Sequence, residues 1–75
     1  EAFSIQQNDD QICITSNVPY DAEIDLRNLT GQVIQQKQLA GNNTIKFNTS
    51  SVKHGIYIID INYAHIHSSK KLFIN

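Results

Sequence analysis

Hydrophobic and polar residues alternate along most of the chain with the period of two that is typical of β-strands. The longest such stretch is GIYIIDI, residues 55–61, which continues to Tyr63. One face of this stretch is wholly apolar or aromatic, and the other turns from Ile56 and Ile58 to Asp60 and Asn62. Isoleucine and tyrosine fit a pleated surface better than a helix. The pattern predicts a strand that enters the middle of a sheet and leaves it toward water.

The same alternation divides the rest of the chain into short strands separated by turn residues. We expect seven strands, at residues 2–7, 11–16, 22–28, 32–39, 44–48, 56–63 and 67–75. In the third, Ile24 and Leu26 should point inward and Asp25 outward. Gly31 and Gly41 mark structural turns, and Gly31 is expected to have a positive φ. Turn signals roughly every eight to twelve residues predict an all-β sandwich or barrel.

Size and composition narrow the class of protein. Seventy-five residues make one domain, which buries only about 60% of its unfolded surface and has little room for a deep active site. Isoleucine outnumbers leucine twelve to four, which favours strands. The net charge is −1 and no basic stripe is present, so no nucleic-acid partner is expected. No apolar run approaches the ~20 residues of a membrane-spanning segment.

The ends of the chain indicate a piece of a larger protein. It has no initiator methionine and no signal peptide, so we expect a domain excised from a longer secreted chain. The final KKLFIN stops directly on a strand pattern, which we interpret as a natural C-terminus. The single cysteine, Cys13, excludes an internal disulfide.

Residues with possible chemistry are few. His65 and His67 are two apart, which is half of a zinc site, but no third ligand is near and the pair spans a turn. Cys13 has no base or oxyanion hole suggested by spacing, and it is interpreted as a packed side chain. We therefore predict no catalytic residue, no metal and no cofactor.

The second half of the chain resembles a known family. Val52, Gly55 and Tyr57, in SSVKHGIYIIDI, resemble the Leu-x-x-Gly-x-Tyr pattern of C-terminal sorting domains, type A-like, which Bacteroidetes proteins carry for type IX (Por) secretion. Three further segments match in order: IDLRNLTGQVI, a strand–turn–strand element; AGNNTIKFN, a glycine turn before a short strand; and SSKKLFIN, basic residues before a closing apolar strand. Val52 stands where leucine is usual, and His54 where proline or alanine is frequent.

This resemblance implies a fold and a role. The fold is a seven-stranded, immunoglobulin-like antiparallel β-sandwich over residues 1–75, behind an N-terminal cargo domain in the same full-length chain. The role is a non-catalytic secretion signal that the type IX outer-membrane translocon recognises and that a sortase commonly removes. The cargo would be secreted or reach the cell surface by way of the periplasm and outer membrane.

Recognition is expected at the central and last strands. The candidate residues are Gly55, Tyr57, Lys70, Lys71, Leu72, Phe73 and Ile74. The last strand, short and basic, is expected at a sheet edge, where unpaired backbone groups are open to a partner or to weak self-association. Its two lysines would steer an acidic receptor surface, or are plain solvated charge.

Two of these residues also have structural interpretations. Gly55 is expected to supply a positive φ or close packing where the loop ends. Tyr57 is expected to be a core aromatic whose hydroxyl bonds a loop carbonyl.

A different class of function stays open on the residues alone. An immunoglobulin-like or fibronectin-like accessory module of a secreted enzyme would bind carbohydrate or space domains. Carbohydrate binders usually expose aromatic residues on a platform, and here only Tyr20 and Phe73 are candidates, with no tryptophan. A stand-alone enzyme is disfavoured because spacing suggests no carboxylate pair and no nucleophile with a base.

Overall fold

The computed structural model describes residues 1–75, and all of its regular elements are β-strands. The seven strands are β1 (Phe3–Gln7), β2 (Gln11–Ser16), β3 (Ala22–Asn28), β4 (Val33–Leu39), β5 (Thr44–Asn48), β6 (Gly55–Tyr63) and β7 (Ile66–Ile74). The structure holds no helix with the length and apolarity needed to cross a membrane.

The strands form two antiparallel sheets. One has three strands in the order β1-β2-β5, and the other has four in the order β4-β3-β6-β7. Their apolar faces pack against each other, so the prediction of an all-β sandwich is confirmed. β6 lies inside the four-stranded sheet, as its apolar run predicts, and β7 lies at an edge of that sheet.

The core follows from the alternation along the strands. The fully buried large side chains are Ile12, Ile14, Ile24, Leu26, Leu39, Phe47, Ile59 and Ile74. β3 and β6 pair Leu26 with Ile59 and Ile24 with Ile61, which places their apolar faces together. At about 1.5–3 kcal/mol for each fully buried side chain of this kind, these contacts are the main favourable contribution to folding.

The outer face of the four-stranded sheet departs from the predicted pattern. Ile56, at the apolar start of that face, is 43% exposed, whereas Asp60, expected to lie toward water, is only 9% exposed. Asp25 points away from the core as predicted, yet it is 2% exposed. The expectation that the polar end of this face is exposed therefore holds at Asn62 and was wrong at Asp60, which other side chains cover.

The hairpin between β6 and β7 also differs from expectation. β7 covers Ile66–Ile74, one residue earlier at each end than the expected 67–75, and with nine residues it is not the short strand described above. Tyr63 pairs with Ile66, which leaves a two-residue turn at Ala64 and His65. Their φ values are 45° and 65°, as a type I′ turn requires. This turn usually takes asparagine and glycine, so the sequence carried no signal for it.

The two turn glycines serve different purposes. Gly31 has a φ of 91°, which confirms the expected positive φ. At the second turn the positive φ, 58°, belongs to Asn42. Gly41 is needed for space, because a Cβ there would lie 2.6 Å from the backbone carbon of Pro19.

Candidate functional site

The register of β6 and β7 brings the expected recognition residues together. Gly55 pairs with Ile74, Ile56 with Phe73 and Tyr57 with Leu72. Residues 55–57 and 72–74 therefore form one surface at the end of the four-stranded sheet, which we call the β6–β7 corner. Two motifs about fifteen residues apart in the chain thus meet in space, because antiparallel pairing joins the start of one strand to the end of the next.

Tyr57 and Gly55 fix the backbone at this corner. The Tyr57 ring is 8% exposed, and its hydroxyl donates to the Lys53 carbonyl oxygen at 2.8 Å. This confirms the predicted bond from a core tyrosine to a loop carbonyl. Gly55 has a φ of 153°, while a Cβ there would meet only Tyr57 Cε1, at 3.8 Å. Glycine is therefore required by the backbone angle, not by a lack of space.

The residues of β7 divide into anchors and exposed side chains. Ile74 is 1% exposed and Leu72 packs against the core. Phe73 is 52% exposed and stands directly opposite the exposed Ile56, so the two form an apolar pair on the outer face. Lys70 is also exposed. A partner can therefore reach the lysines and Phe73, whereas Leu72 and Ile74 hold the strand in place.

The two lysines project to opposite sides of β7. Lys70 pairs with the buried Ile59 and so faces the inner side, and Lys71 pairs with Ile58 and faces the outer side. Neither ammonium group lies within 4 Å of a carboxylate, since the three ion pairs of the structure all involve Arg27 or His67. Both charges are therefore available to an acidic partner.

A polar network that the sequence did not reveal crosses the outer face beside the corner. Arg27 donates through Nε to Asp60 Oδ2 at 2.7 Å and through Nη2 to Asp25 Oδ2 at 2.9 Å. Gln36 of β4 donates to Asp25 at 2.6 Å. On the other side, Ser69 of β7 donates to Asp60 at 2.5 Å. The network therefore ties all four strands together.

The pKa of Asp60 reflects these contacts. Partial burial by itself raises this pKa, but the hydrogen bonds from Ser69, His67 and Arg27 outweigh it, and the nearby His67 charge adds to them. The pKa of Asp60 consequently lies below its ordinary value of 3.8. The sequence contains one indication of this polar network, which is an aspartate within an isoleucine-rich strand together with the Asp-x-Arg of the neighbouring strand.

His67, Ser69 and Asp60 do not form a catalytic relay. The Ser69 hydroxyl donates to Asp60 Oδ1, and His67 Nε2 lies 3.3 Å from that same oxygen. Ser69 Oγ also lies 3.4 Å from His67 Nε2, so the serine and the carboxylate share the same ring nitrogen. In a serine-hydrolase triad they bond the two different nitrogens of the histidine ring. His65 lies in the turn and so shares no strand face with His67. No group of three potential ligands is placed to hold a metal ion.

Comparison with a solved structure agrees with this architecture. The chain superposes with a TM-score of 0.86 on the crystal structure of a DUF3244 family protein from Bacteroides vulgatus, described as an immunoglobulin-like β-sandwich. The match covers 99% of this chain and 84% of that chain at 11% sequence identity. At this identity the likeness shows the fold alone, and it confirms the predicted immunoglobulin-like class. No curated protein matches the sequence.

Comparison with protein families supplies the role. The model of the secretion system C-terminal sorting domain matches residues 8–75, from the β1–β2 turn through β7. This span contains the whole β6–β7 corner and every segment on which the resemblance depended, so the predicted relationship is confirmed. The chain therefore belongs to the family of secretion system C-terminal sorting domains, the signals for type IX secretion.

Proposed function

We propose that residues 1–75 act as one sorting domain behind an N-terminal cargo domain, and that the export machinery recognises the β6–β7 corner. Membership of the family makes this domain a signal for type IX secretion, which delivers its cargo to the cell surface or the extracellular space. The sorting signal of this family is non-catalytic. We assign the domain no chemical step of its own.

One observation carries the assignment of the corner. The β6–β7 register places residues 55–57 beside residues 72–74, so the two family motifs form a continuous surface. A receptor that contacts this surface would meet both motifs at once. It would also meet a sheet edge, since β7 pairs only with β6.

The contacts available at the corner favour a division of labour. Tyr57, Leu72 and Ile74 support the surface from inside, and Gly55 sets the angle at which β6 begins. Phe73 at the corner and Lys70 and Lys71 next to it on β7 are exposed and would contact the partner. We propose that the outer-membrane translocon, and then the sortase, bind these exposed groups, with the lysines attracting acidic side chains.

A secretion assay with surface variants tests this proposal. Residues 1–75 are fused behind a signal peptide and a fluorescent reporter in a Bacteroidetes host, with and without its type IX translocon. A variant with Lys70→Gln, Lys71→Gln and Phe73→Ser should leave the reporter in the periplasm. The control variant, Lys46→Gln, removes one exposed charge on β5 and should be exported normally.

The outcomes separate the alternatives. Full export of the triple variant would rule out recognition through these side chains. Retention of the unmodified fusion in both strains would instead favour an accessory module. Deleting residues 70–75 is the weaker test, because it removes the buried Ile74 and uncovers β6. Loss of export would then follow from unfolding alone.

A further inference from the structure

The sandwich is open along one side, between the edge strands β1 and β7. Near the end of β7 the two edges are joined, because Gln7 Nε2 donates to the Phe73 carbonyl oxygen. Toward the start of β7 the inner side of the strand is uncovered. Ser68 and Lys70 are exposed there, although their neighbours on β6 are the buried Ile61 and Ile59. This gap is the lateral groove.

The lateral groove has an apolar wall and a polar wall. Its volume is about 260 Å³. Its apolar lining is Ala2, Phe3, Ile5, Ile61 and Tyr63. The rings of Phe3 and Tyr63 pack edge to face, with 4.8 Å between their centroids. The polar side is formed by Glu1, Ser68, Ser69 and Lys70. Pockets for drug-sized ligands occupy about 300–1,000 Å³, so this groove is suited to one or two inserted side chains.

The backbone of β7 presents unpaired groups above the groove. In an antiparallel strand, alternate residues point both backbone groups toward the partner strand or away from it. The Phe73 carbonyl points away from β6, because it accepts from Gln7 on β1. By alternation, the N–H and C=O groups of His67, Ser69 and Lys71 also point away. These groups are free to pair with another strand.

Charge distinguishes between the possible occupants. A second copy of the chain that paired antiparallel with β7, with Lys70 of each copy opposite Lys71 of the other, would bring four lysines together, and like charges across a strand pair are destabilising. Lys70 and Lys71 have no carboxylate within 4 Å in this structure. A strand with acidic side chains at the matching positions would neutralise both. The charges therefore favour an acidic segment of another protein.

We propose that β7 and the lateral groove accept an extended segment of a partner protein as a fifth strand of the sheet. Opposite Ser68 this segment carries an apolar side chain, which enters the groove and packs beside the contacting rings of Phe3 and Tyr63. Opposite Lys70 and Lys71 it carries acidic side chains, one on each face. This inference deepens the proposed function. It rests on that function in one respect, since it assigns the partner segment to a protein of the type IX machinery.

Peptide binding to the isolated domain tests the inference without secretion. The probe is a synthetic ten-residue peptide of alternating valine and threonine with two adjacent central glutamates. Its control has lysines in place of the glutamates. In ¹⁵N-labelled protein, the acidic peptide should slow hydrogen exchange at the amides of His67, Ser69 and Lys71, and the lysine peptide should not. Protection confined to other strands, or equal binding of both peptides, would overturn the inference.

Three variants separate backbone pairing, charge and the groove. Lys71→Pro removes an outward N–H and should abolish binding, whereas Lys71→Gln should weaken it about two- to fivefold. Ser68→Phe fills the groove from within and should block binding while the domain stays folded. Unchanged peptide affinity in Ser68→Phe, or concentration-dependent dimers that bury β7, would refute the proposal. If the peptide does not bind, the proposed function in secretion still stands on the secretion assay. If the peptide binds but Ser68→Phe is exported normally, the partner strand does not come from the export machinery.

Discussion

Replacing Arg27 with methionine tests the charged network on the outer face. The guanidinium donates three hydrogen bonds, to Asp60, to Asp25 and to the Gly31 carbonyl at 2.9 Å. Asp25 and Asp60 are paired directly across β3 and β6. Arg27→Met keeps much of the aliphatic stem but leaves two nearly buried carboxylates facing each other without the guanidinium that bridges them. The domain should lose stability through this repulsion and through the lost hydrogen bonds.

The size of this stability loss follows from how deeply the ion-paired side chains are buried. Breaking a buried ion pair costs about 3–5 kcal/mol. The Arg27 side chain is 34% exposed, so solvent screens part of this, and Gln36 and Ser69 still donate to the carboxylates. We therefore expect a loss of about 3 kcal/mol. The free energy of unfolding of a domain of this size is roughly 4–11 kcal/mol, at 0.05–0.15 kcal/mol per residue. The melting temperature should fall by about 12–24 °C.

Urea and thermal unfolding at pH 7 and pH 3 measure this loss. The hydrogen bond from Arg27 is one of the contacts that lower the pKa of Asp60, so its stabilising contribution is present above 3.8 and is lost as pH falls through the folded pKa. The stability deficit of the variant relative to the native chain should therefore shrink on acidification. Lys46→Met, which removes an exposed positive charge, should cost less than about 1 kcal/mol. A deficit of Arg27→Met below about 1 kcal/mol, or one that is equal at both pH values, would refute the reasoning.

Three further predictions concern other parts of the fold. Because the pKa of Asp60 is lowered in the folded state, its stabilising contribution is complete well above the unfolded value of 3.8 and is lost as pH falls through the folded pKa. The free energy of unfolding of Asp60→Asn should therefore decline less steeply below pH ~4 than that of the native chain, and an equal slope would contradict the assigned contacts. Changing the β6–β7 turn by Ala64→Asn with His65→Gly should stabilise the domain by about 1 kcal/mol, since both positions have positive φ. A lower melting temperature would show that the turn is not of type I′. Gly41→Ala should destabilise by more than about 1 kcal/mol because its Cβ would strike the Pro19 backbone, and a neutral result in urea would show that the loop moves aside.

The sequence predicted those features that depend on local pattern. The period of two in β6 predicted that Tyr57 and Ile59 lie in the core, and both are buried. The tyrosine hydroxyl donates a hydrogen bond to a loop carbonyl, as expected. The glycine of the β3–β4 turn had the expected positive φ. The edge position of β7 followed from its basic residues, which are typical of exposed edges.

The sequence could not predict what the register brings together. Asp60 is buried because Arg27, thirty-three residues away, and Ser69, nine residues away, both reach it. No local pattern encodes such pairs. The lateral groove, where Ser68 is exposed, depends on how far β1 of the three-stranded sheet extends beside β7 of the other sheet. The turn at Ala64 and His65 has no residue that usually marks a type I′ hairpin, so the sequence did not predict that β7 begins directly after it, at Ile66.

The chain order of β7 has a consequence for synthesis in the cell. β7 is the last of the seven strands to leave the ribosome, and until it arrives β6 has a bare edge and the core lacks Ile74. A ribosome that stalls before β7 therefore releases a chain without a formed β6–β7 corner. If recognition uses this corner, export selects for completed translation, because a prematurely terminated cargo protein lacks the recognition surface and is not exported.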